Sequence, residues 1–390
     1  MRNMAYTRKE KENQPVLAIC YDFDKTLSPT DMQAQGFIQS VGYNVEDFWK
    51  KSNGLAEEND MDQNLAYMYM MKTESDGQLL FTEETLRNYG EKVSLFPGVE
   101  EWFDRINAYG DSKGVLIEHY IISSGLKEMI EGTPLAKKGV FTKIYASSFY
   151  YNKKGVAVWP AQVVNYTNKT QYLFRIEKGT LDVNDPGVND YFSPDERRIP
   201  FRNMIYIGDS DTDIPCMRLV NSYGGHSIGV YDISSKNKSK VYKMLRDNRI
   251  KYFAAADYSE GSELDQLVKM IIDRTVFNEK LEEYYYNNLR EVQLSEKEMS
   301  EEQQTKEQLI NKLEESSSFA STHTIIIEMD SIQQWSSDEV ERICEIALSN
   351  EQVGYVIRET KISEYLKRII HSSGATGEKA ERVSKIIQDI

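Results

Sequence analysis

The sequence predicts an α/β fold whose core is a doubly wound parallel sheet. Its apolar residues form short continuous runs, which are typical of strands covered on both faces. These runs are Val16–Tyr21, Tyr120–Ile122, Met204–Ile207, Ser227–Val230 and Tyr252–Ala255. Helical patterns such as Val99–Tyr109 lie between the runs. Such an alternation of strands and helices is typical of a Rossmann-like core, with helices on both faces of its sheet.

A long gap between the first two strands predicts an inserted domain. The first strand ends near Asp24 and the second near Ser123, whereas a strand–helix–strand unit needs only about 30 residues. Residues 30–95 fill this gap and contain apolar and aromatic stretches such as Ala66–Met71, so we expect a mostly helical cap there. The core would then consist of residues 15–29 and 96–275.

A β-hairpin is expected after the second strand, within residues 144–160. Ala146–Tyr151 and Val156–Trp159 have the composition of its two arms. Asn152–Gly155 lies between them and contains residues that favour turns, so it would connect the arms.

Polar composition marks two further segments. Residues 1–14 have basic residues with no apolar segment after them, so they fit a disordered tail and not a secretory signal. Residues 276–320 are highly charged, with apolar residues at helical spacing, and we expect a charged helical connector there. A polar linker that is partly disordered near Ser316–Ser318 explains the same composition.

Residues 321–390 are predicted to form a small C-terminal domain, either α/β or mostly helical. Thr324–Ile327 and Val353–Ile357 have the composition of strands. Ser336 and Glu339 fit a capping box at the start of a helix, and the adjacent Trp335 and Val340 fit a hydrophobic staple. This range contains no motif with an obvious chemistry.

Composition excludes several classes of protein. The 390 residues include 62 acidic and 47 basic side chains, for a formal net charge of −15, which argues against a general binder of nucleic acid or of anionic membranes. No run approaches 18 apolar residues, so we expect no membrane span. The three cysteines lie far apart in the sequence, which fits a reducing, cytoplasmic location.

Two aspartates follow the first strand at a spacing that suggests a cation site. Residues two apart on a strand share a face, so Asp22 and Asp24 would converge at the carboxyl end of the strand. This end of an open α/β sheet is where ligands bind. Two adjacent like charges are costly unless a cation or a shared proton compensates them, and Mg²⁺ prefers such oxygen ligands. A solvated turn with an incidental Asp-x-Asp remains the alternative.

The ends of two later strands also present polar residues. Ser123-Ser124-Gly125 offers hydroxyl and backbone N–H groups that can hold a phosphate oxygen, although a plain helix cap explains it equally. Gly208 lets the backbone turn tightly before Asp209, and Asp213 follows one helical turn later. Acidic residues that favour the dipole at a helix start are the alternative here.

Together these three motifs, in this order, resemble those of the phosphohydrolases of the haloacid dehalogenase superfamily. The motifs are Asp-x-Asp-x-Thr, Ser-Ser-Gly and Gly-Asp-x-x-x-Asp. The insertion between the first two strands and the hairpin after the second motif are most similar to the phosphoserine phosphatase branch. The resemblance covers roughly residues 15–275, an extent judged on the usual size of a domain, and does not include the C-terminal region.

The resemblance implies a role for each motif residue. Asp22 matches the nucleophile that forms an aspartyl-phosphate, and Asp24 matches the general acid. Ser123, Ser124 and Gly125 match the phosphate-binding loop. The required phosphate-binding lysine is best matched by Lys169, with Lys178 as the alternative, and residues 180–200 would form an inserted loop. Mg²⁺ would be held by Asp22, the backbone carbonyl of Asp24, Asp209 and, in support, Asp213.

The resemblance therefore implies a Mg²⁺-dependent phosphatase that acts on a small phosphorylated metabolite. A second acid such as Asp24 is absent from dehalogenases, which disfavours cleavage of carbon–halogen bonds. A phosphotransferase or phosphomutase with the same intermediate is the alternative, and a regulatory or binding protein built on this core is another. We expect no nucleic-acid or membrane partner. The C-terminal region is a candidate for forming a homodimer.

Overall fold

The computed structural model of the protein describes residues 6–235, 237–298 and 301–388. The chain divides into two compact units, Met1–Glu283 and Tyr284–Ile390. Residues 1–5 of the expected disordered tail lie outside the described residues. Within the described ranges, no helix is both long and apolar enough to cross a bilayer.

The first unit is built on one sheet of seven strands in the order β4-β3-β2-β1-β5-β6-β7. Neighbouring strands are parallel, except for the antiparallel pair β3–β4. The strands are β1 (Val16–Tyr21), β2 (Leu116–Leu126), β3 (Lys143–Tyr151), β4 (Ala157–Gln162), β5 (Met204–Gly208), β6 (His226–Tyr231) and β7 (Tyr252–Ala255). This arrangement confirms the predicted doubly wound α/β core.

The direction of winding reverses at the central strand β1, all six residues of which are buried. The chain winds outward to β2 and β3 on one side and to β5, β6 and β7 on the other. The carboxyl ends of β1, β2 and β5 therefore lie side by side at the switch point, which is the usual position of a ligand site in such sheets.

The helices of the first unit include those of the insertion between β1 and β2. The insertion holds α1 (Phe37–Ser40), α2 (Val45–Glu58), α3 (Gln63–Glu74) and α4 (Glu83–Gly90), so it is helical as expected. Its side chains Phe37, Phe48 and Met68 belong to the same buried cluster as Phe23 and Leu27 of the core. The cap is thus held to the sheet by continuous apolar packing.

The remaining helices of this unit pack around the sheet. They are α5 (Val99–Lys113), α6 (Lys127–Gly132), α7 (Pro134–Lys137), α8 (Thr170–Lys178), α9 (Ile214–Ser222), α10 (Ser239–Arg246) and α11 (Glu263–Glu298). The last of these extends past the boundary between the two units.

The expected hairpin and the expected inserted loop are both present. β3 and β4 form the hairpin, in which Tyr150 pairs with Trp159. The turn is closed by a hydrogen bond from Gly155 N to Asn152 O, 2.9 Å long. Between α8 and the 3₁₀ turn that precedes β5, residues 180–200 are irregular apart from the short 3₁₀ helix Pro186–Asn189.

The second unit has its own buried core, to which six helices contribute within the residues that the structure describes. They are α12 (Glu301–Glu314), α13 (Phe319–Asp330), α14 (Ser337–Ser349), α15 (Glu351–Val356), α16 (Thr360–Ser373) and α17 (Glu378–Gln388). The capping box predicted for Ser336 and Glu339 is present at the start of α14. Trp335 and Val340 are buried in the same cluster.

The two strands predicted for the C-terminal region are wrong, and the alternative of a mostly helical domain is confirmed. Thr324–Ile327 lies in helix α13 and Val353–Ile357 in and just after helix α15. Short apolar runs are ambiguous between strand and helix, and packing against neighbouring helices decides the outcome. The expected charged connector is helical, but α12 is not only a connector, because it places Leu309 and Ile310 in the core of the second unit. Ser318 caps α13, so this segment is not an irregular linker.

The expected disorder of the tail is also wrong for the residues that the structure describes. Lys9 N donates to Gly179 O over 2.9 Å, and Lys9 Nζ lies 2.6 Å from Glu118 Oε1. The buried Arg198 pairs with both Glu12 and Glu118. These partners lie far apart in the chain, so charge pairing that is invisible to local sequence patterns fixes the segment.

Glu118 provides a test of this ionic network. Burial would raise its pKa, but hydrogen bonds from Arg198 and Lys9 outweigh burial and lower the pKa to about 2. The paired carboxylate therefore stabilises the fold fully above its unfolded pKa of about 4.3, and this contribution disappears as the pH falls towards 2. We expect Glu118→Gln to lower the free energy of unfolding by about 3 kcal/mol at pH 7.

Chemical unfolding followed between pH 7 and pH 3 would measure this effect. The gap in the free energy of unfolding between wild type and Glu118→Gln should stay constant down to about pH 5 and narrow below that. Glu10→Gln removes an exposed acid from the same segment and is the matched control, with an expected change within about 0.5 kcal/mol. A gap that does not change with pH would contradict the ionic origin of the stability.

Candidate active site

The end of β1 places Asp22 and Asp24 at the switch point. Asp22 N donates to Ile207 O of β5 over 3.0 Å, which aligns the two strand ends. The chain then turns sharply, because Phe23 O accepts the amides of Leu27 and Ser28, and Lys25 adopts the left-handed conformation at φ 59°. This turn brings Asp24 back over the site.

Three of the predicted carboxylates meet at this edge of the sheet. Oxygen atoms of Asp22, Asp209 and Asp213 all lie within 4.8 Å of one another. Asp22 Oδ1 is buried and makes no hydrogen bond of good geometry among the described residues, although the Lys169 ammonium lies 3.2 Å from it. An all-oxygen donor set around such a buried carboxylate oxygen fits a hard divalent cation such as Mg²⁺.

Lys169 lies buried beside these acids. Its Nζ is 2.8 Å from Asp213 Oδ1 and 3.2 Å from Asp22 Oδ1. Burial opposes its charge, but the carboxylates of Asp213 and Asp22 hold its pKa above the ordinary value for lysine. The alternative, Lys178, donates instead to Val188 O and Asp190 O of the inserted loop, so the structure brings Lys169 and not Lys178 to the site.

Asp213 is held by protein donors on both of its oxygens. Oδ1 accepts from Lys169 Nζ and from Tyr206 OH at 2.9 Å, and Oδ2 accepts from the amide and hydroxyl of Ser210. These four donors occupy the usual capacity of a carboxylate. Asp213 therefore acts at the site mainly by orienting Lys169 and by its charge.

Gly208 has a packing role that the sequence did not reveal. A Cβ atom at this position would lie 2.6 Å from Asp213 Oδ2, well inside van der Waals contact. The sequence predicts a glycine here because the backbone turns tightly. In the structure, glycine is needed because the buried Asp213 carboxylate approaches the backbone closely.

The carboxyl groups have raised pKa values, for which burial is the main cause. Burial and the charge of Asp213 raise the pKa of Asp22 to about 7 and that of Asp209 to about 6. Burial, followed by the charges of Asp31 and Asp22, raises the pKa of Asp24 well above its ordinary value. A carboxyl group that keeps its proton near neutral pH is suited to act as a general acid.

Asp24 also contacts the neighbouring loops directly. Its Oδ1 accepts from Met32 N over 2.8 Å, at the start of the insertion. The strand that was expected to end at Ser123 runs on to Leu126, so Ser123, Ser124 and Gly125 lie in the last, irregularly paired part of β2. A Cβ on Gly125 would lie 3.0 Å from Asp24 Oδ2, so glycine lets this part of β2 approach the acid. Ser123 Oγ accepts from Gly125 N, while Ser124 Oγ is buried and has no partner among the described residues.

A cavity of about 580 Å³ lies between these acids and the cap. The predicted residues Asp22, Asp24, Ser123, Ser124, Gly125 and Asp209 all line it. The predicted residues Lys169 and Asp213 are fully buried and do not line it. Sequence reasoning missed the further lining residues Lys25, Asp31, Met61, Asp62, Gln63, Asn64, Asn165, Tyr166, Ser210, Thr212 and Lys240. Most of these follow no local pattern. Asp62 carries a recognisable signal, because it is the N-cap residue just before α3, and Ser210 forms a capping box with Asp213.

Fold and site together define an α/β enzyme with an acidic centre, a buried lysine and a hydroxyl-rich loop at the switch point. The family model of haloacid dehalogenase-like hydrolases matches residues 19–218, just over half of the chain. The protein belongs to this family of hydrolases.

One relative in sequence is an uncharacterized protein of Borreliella burgdorferi. It is 28% identical over 286 residues, which cover 65% of this chain and 95% of that protein. Among solved structures, a HAD family hydrolase from Salmonella enterica serovar Typhi matches with a TM-score of 0.44 at 17% identity. The match covers 67% of this chain and 73% of the chain of that hydrolase.

A probable phosphoserine phosphatase from Vibrio cholerae has the same TM-score of 0.44, at 14% identity, and covers 68% of this chain and 67% of its own. The structure of cytosolic 5'-nucleotidase IIIB bound to cytidine has a TM-score of 0.39 at 15% identity and covers 67% of this chain and 86% of its own. None of these similarities assigns a substrate to this chain.

The close approach of Gly208 to Asp213 can be tested by replacing two glycines with alanine, for which we expect opposite changes in stability. Gly208→Ala should destabilise the protein by about 1–3 kcal/mol, because the added methyl group overpacks a buried site. Gly54→Ala is the matched control: it lies within α2, and nothing lies within 4 Å of its added methyl group. This change should stabilise the protein by about 0.5–1 kcal/mol. Chemical unfolding of both variants checks the prediction, and equal effects would contradict it.

Proposed function

We propose that this protein is a Mg²⁺-dependent phosphatase that hydrolyses a small phosphorylated metabolite through an aspartyl-phosphate. The observation that supports this most directly is the ammonium of Lys169 between Asp22 and Asp213. It lies at the switch point, beside a cluster of carboxylates and a hydroxyl-bearing loop. A phosphoryl group is multiply anionic, and a buried positive charge at this position would neutralise it.

The residues that would hold Mg²⁺ are Asp22, Asp209 and the backbone carbonyl of Asp24, with Asp213 in support. The cation, when bound, would neutralise charge on the phosphoryl oxygens. Its charge would also offset the mutual repulsion of these carboxylates, whose raised pKa values reflect that repulsion as well as burial.

The reaction would proceed as two displacements at phosphorus. A carboxylate oxygen of Asp22 attacks phosphorus, the bond to the ester oxygen breaks, and Asp24 gives its proton to that leaving oxygen. Water then attacks the phosphorus of the aspartyl-phosphate and gives a proton to Asp24, which releases phosphate and regenerates Asp22. Lys169, Ser123 and the amides of the Ser124–Gly125 turn would hold the phosphoryl oxygens through both steps.

Asp24 supports hydrolysis of phosphate esters over carbon–halogen cleavage, since halide departs without a proton. Burial raises the pKa of Asp24, which favours the protonated form that a leaving alcohol requires. A phosphotransferase or phosphomutase would use the same groups, and product analysis with competing alcohols distinguishes them from a phosphatase. The cytoplasmic location stays a prediction, with which the three buried free cysteines are consistent.

The central test is a panel of phosphomonoesters assayed with Mg²⁺ for wild type, Asp22→Asn and Asp24→Asn. We expect no turnover from Asp22→Asn, because the amide cannot act as the nucleophile. Asp24→Asn should lower kcat by about 10²–10⁴-fold for substrates with alcohol leaving groups, since general acid catalysis is lost. The loss should be much smaller for 4-nitrophenyl phosphate, whose leaving group needs little protonation. Activity that survives both a chelator and Asp22→Asn would refute the mechanism.

The charge of the cavity leads to an expectation about the leaving group. Five aspartates and two lysines line the cavity, and no arginine does so among the described residues. Both lysines already face acids, since Lys25 lies 2.9 Å from Asp31 and Lys240 lies 3.5 Å from Asp209. The cavity would therefore offer little unpaired positive charge to a substrate with a second anionic group. We expect substrates whose remaining part is neutral or cationic.

Phosphoethanolamine and phosphoserine form a matched pair for this test, because they differ by one carboxylate. We expect kcat/KM to be at least about tenfold higher for phosphoethanolamine, a difference that corresponds to about 1.4 kcal/mol. Raising the salt concentration should reduce this ratio, since screening weakens the repulsion. A preference for phosphoserine would show that Lys25 or Lys240 leaves its acidic partner to bind the carboxylate.

A further inference from the structure

A hydrogen bond between two side chains joins the cap to the loop that precedes Lys169. Asn165 Nδ2 donates to Asp62 Oδ2 over 2.9 Å, and both residues line the cavity. Asp62 belongs to the cap, where its other oxygen accepts the amides of Asn64 and Leu65 and so caps α3. A single carboxylate thus both starts a cap helix and holds the core loop.

The side chain of Asn165 also forms hydrogen bonds to two different parts of the protein. While its Nδ2 donates to the cap, its Oδ1 accepts the amides of Thr167 at 3.0 Å and Asn168 at 3.2 Å. The backbone carbonyl of Asn165 accepts the amide of Lys169 at 3.1 Å. The turn that sets the start of α8, and with it the position of Lys169, is therefore built on Asn165.

Two neighbouring contacts bring the cap to the same region. Asn64 Nδ2 donates to Val164 O over 2.9 Å, and Tyr67 OH donates to Ser124 O over 2.7 Å. The cap therefore touches both loops that would bind phosphate. Neither contact, however, involves a side chain that also forms the turn before Lys169.

We infer that Asn165 is a positioning residue, which couples the seating of the cap to the placement of Lys169. The inference rests on the proposed function, in which Lys169 binds the phosphoryl group. With Asp62 in place, the amide of Asn165 is oriented so that its oxygen faces Thr167 and Asn168. Loss of the cap contact frees the amide to rotate, which loosens the turn and the lysine that follows it.

The hydrogen bond between Asp62 and Asn165 can be tested by swapping the two residues. In Asp62→Asn, the new amide either presents an N–H group to Asn165 Nδ2 or gives up its cap on α3. In Asn165→Asp, two carboxylates face each other and repel. The double variant Asp62→Asn/Asn165→Asp restores every hydrogen bond: residue 62 caps α3 with its oxygen and donates, while residue 165 accepts both from it and from the turn.

The experiment measures kcat and KM for 4-nitrophenyl phosphate with Mg²⁺ in the two single variants and the double variant. We expect each single change to lower kcat about tenfold or more, and the exchanged pair to recover kcat to within about threefold of wild type. Asn53→Asp makes the same chemical change on an exposed position of α2 and should leave kcat unchanged. Single variants within twofold of wild type, or an exchanged pair no better than the worse single variant, would overturn the inference.

Amide hydrogen exchange tests the coupling without any assay of activity. Asp62 does not touch the amides of residues 167–169, so Asp62→Asn should speed their exchange only if the coupling exists. The exchanged pair should restore their protection. If wild type hydrolyses no phosphomonoester, the proposed function fails while exchange still decides the coupling. Unchanged exchange at residues 167–169 in Asp62→Asn would overturn the coupling even in an active phosphatase.

Discussion

The active-site half of this protein depends on one buried ion pair, in which the ammonium of Lys169 lies between the carboxylates of Asp213 and Asp22. Burying any of these charges alone would be costly, and their mutual attraction makes the arrangement stable. The pair also joins the end of β1, the start of α8 and the start of α9, which come from distant parts of the chain. It leaves an excess of negative charge at the switch point, and a divalent cation is the simplest means of compensating it.

Several local features serve to hold this pair in place. Tyr206 and Ser210 fill the remaining acceptor positions of Asp213, and the missing side chain of Gly208 makes room for its carboxylate. A hydrogen bond from the amide of Asp22 keeps β1 aligned with β5. Burial raises the pKa of Asp24, and the cap shares an apolar cluster with the sheet. The electrostatics of the site and the packing of the cap are therefore structurally connected.

The protein has a net charge of −15, and the positions of its charged residues matter for function. Under the proposed function, a phosphorylated substrate would meet an acidic protein and an acidic cavity, so only charges at short range would attract it. Lys169 is the buried positive charge proposed for this role, whereas Lys25 and Lys240 are engaged with Asp31 and Asp209. Screening in physiological salt limits the influence of distant acids to within about 8–10 Å. Selectivity among substrates should thus depend on the few polar residues that the cap and the loop before α8 place around the leaving group.

The sequence by itself determined the parallel sheet, the helical insertion and the positions of Asp22, Asp24 and Asp209 after strands, because apolar runs and their alternation with helices are local patterns. It placed Ser123 at the end of its strand, whereas β2 continues to Leu126. The resemblance to the family indicated Lys169, which lies at a helix start. Only the tertiary structure decided what depends on distant partners: Arg198 fixes the N-terminal segment, packing among helices makes Thr324–Ile327 helical, and Asp62 meets Asn165. Such contacts join residues that no short window contains, so their energies arise only when the chain has folded.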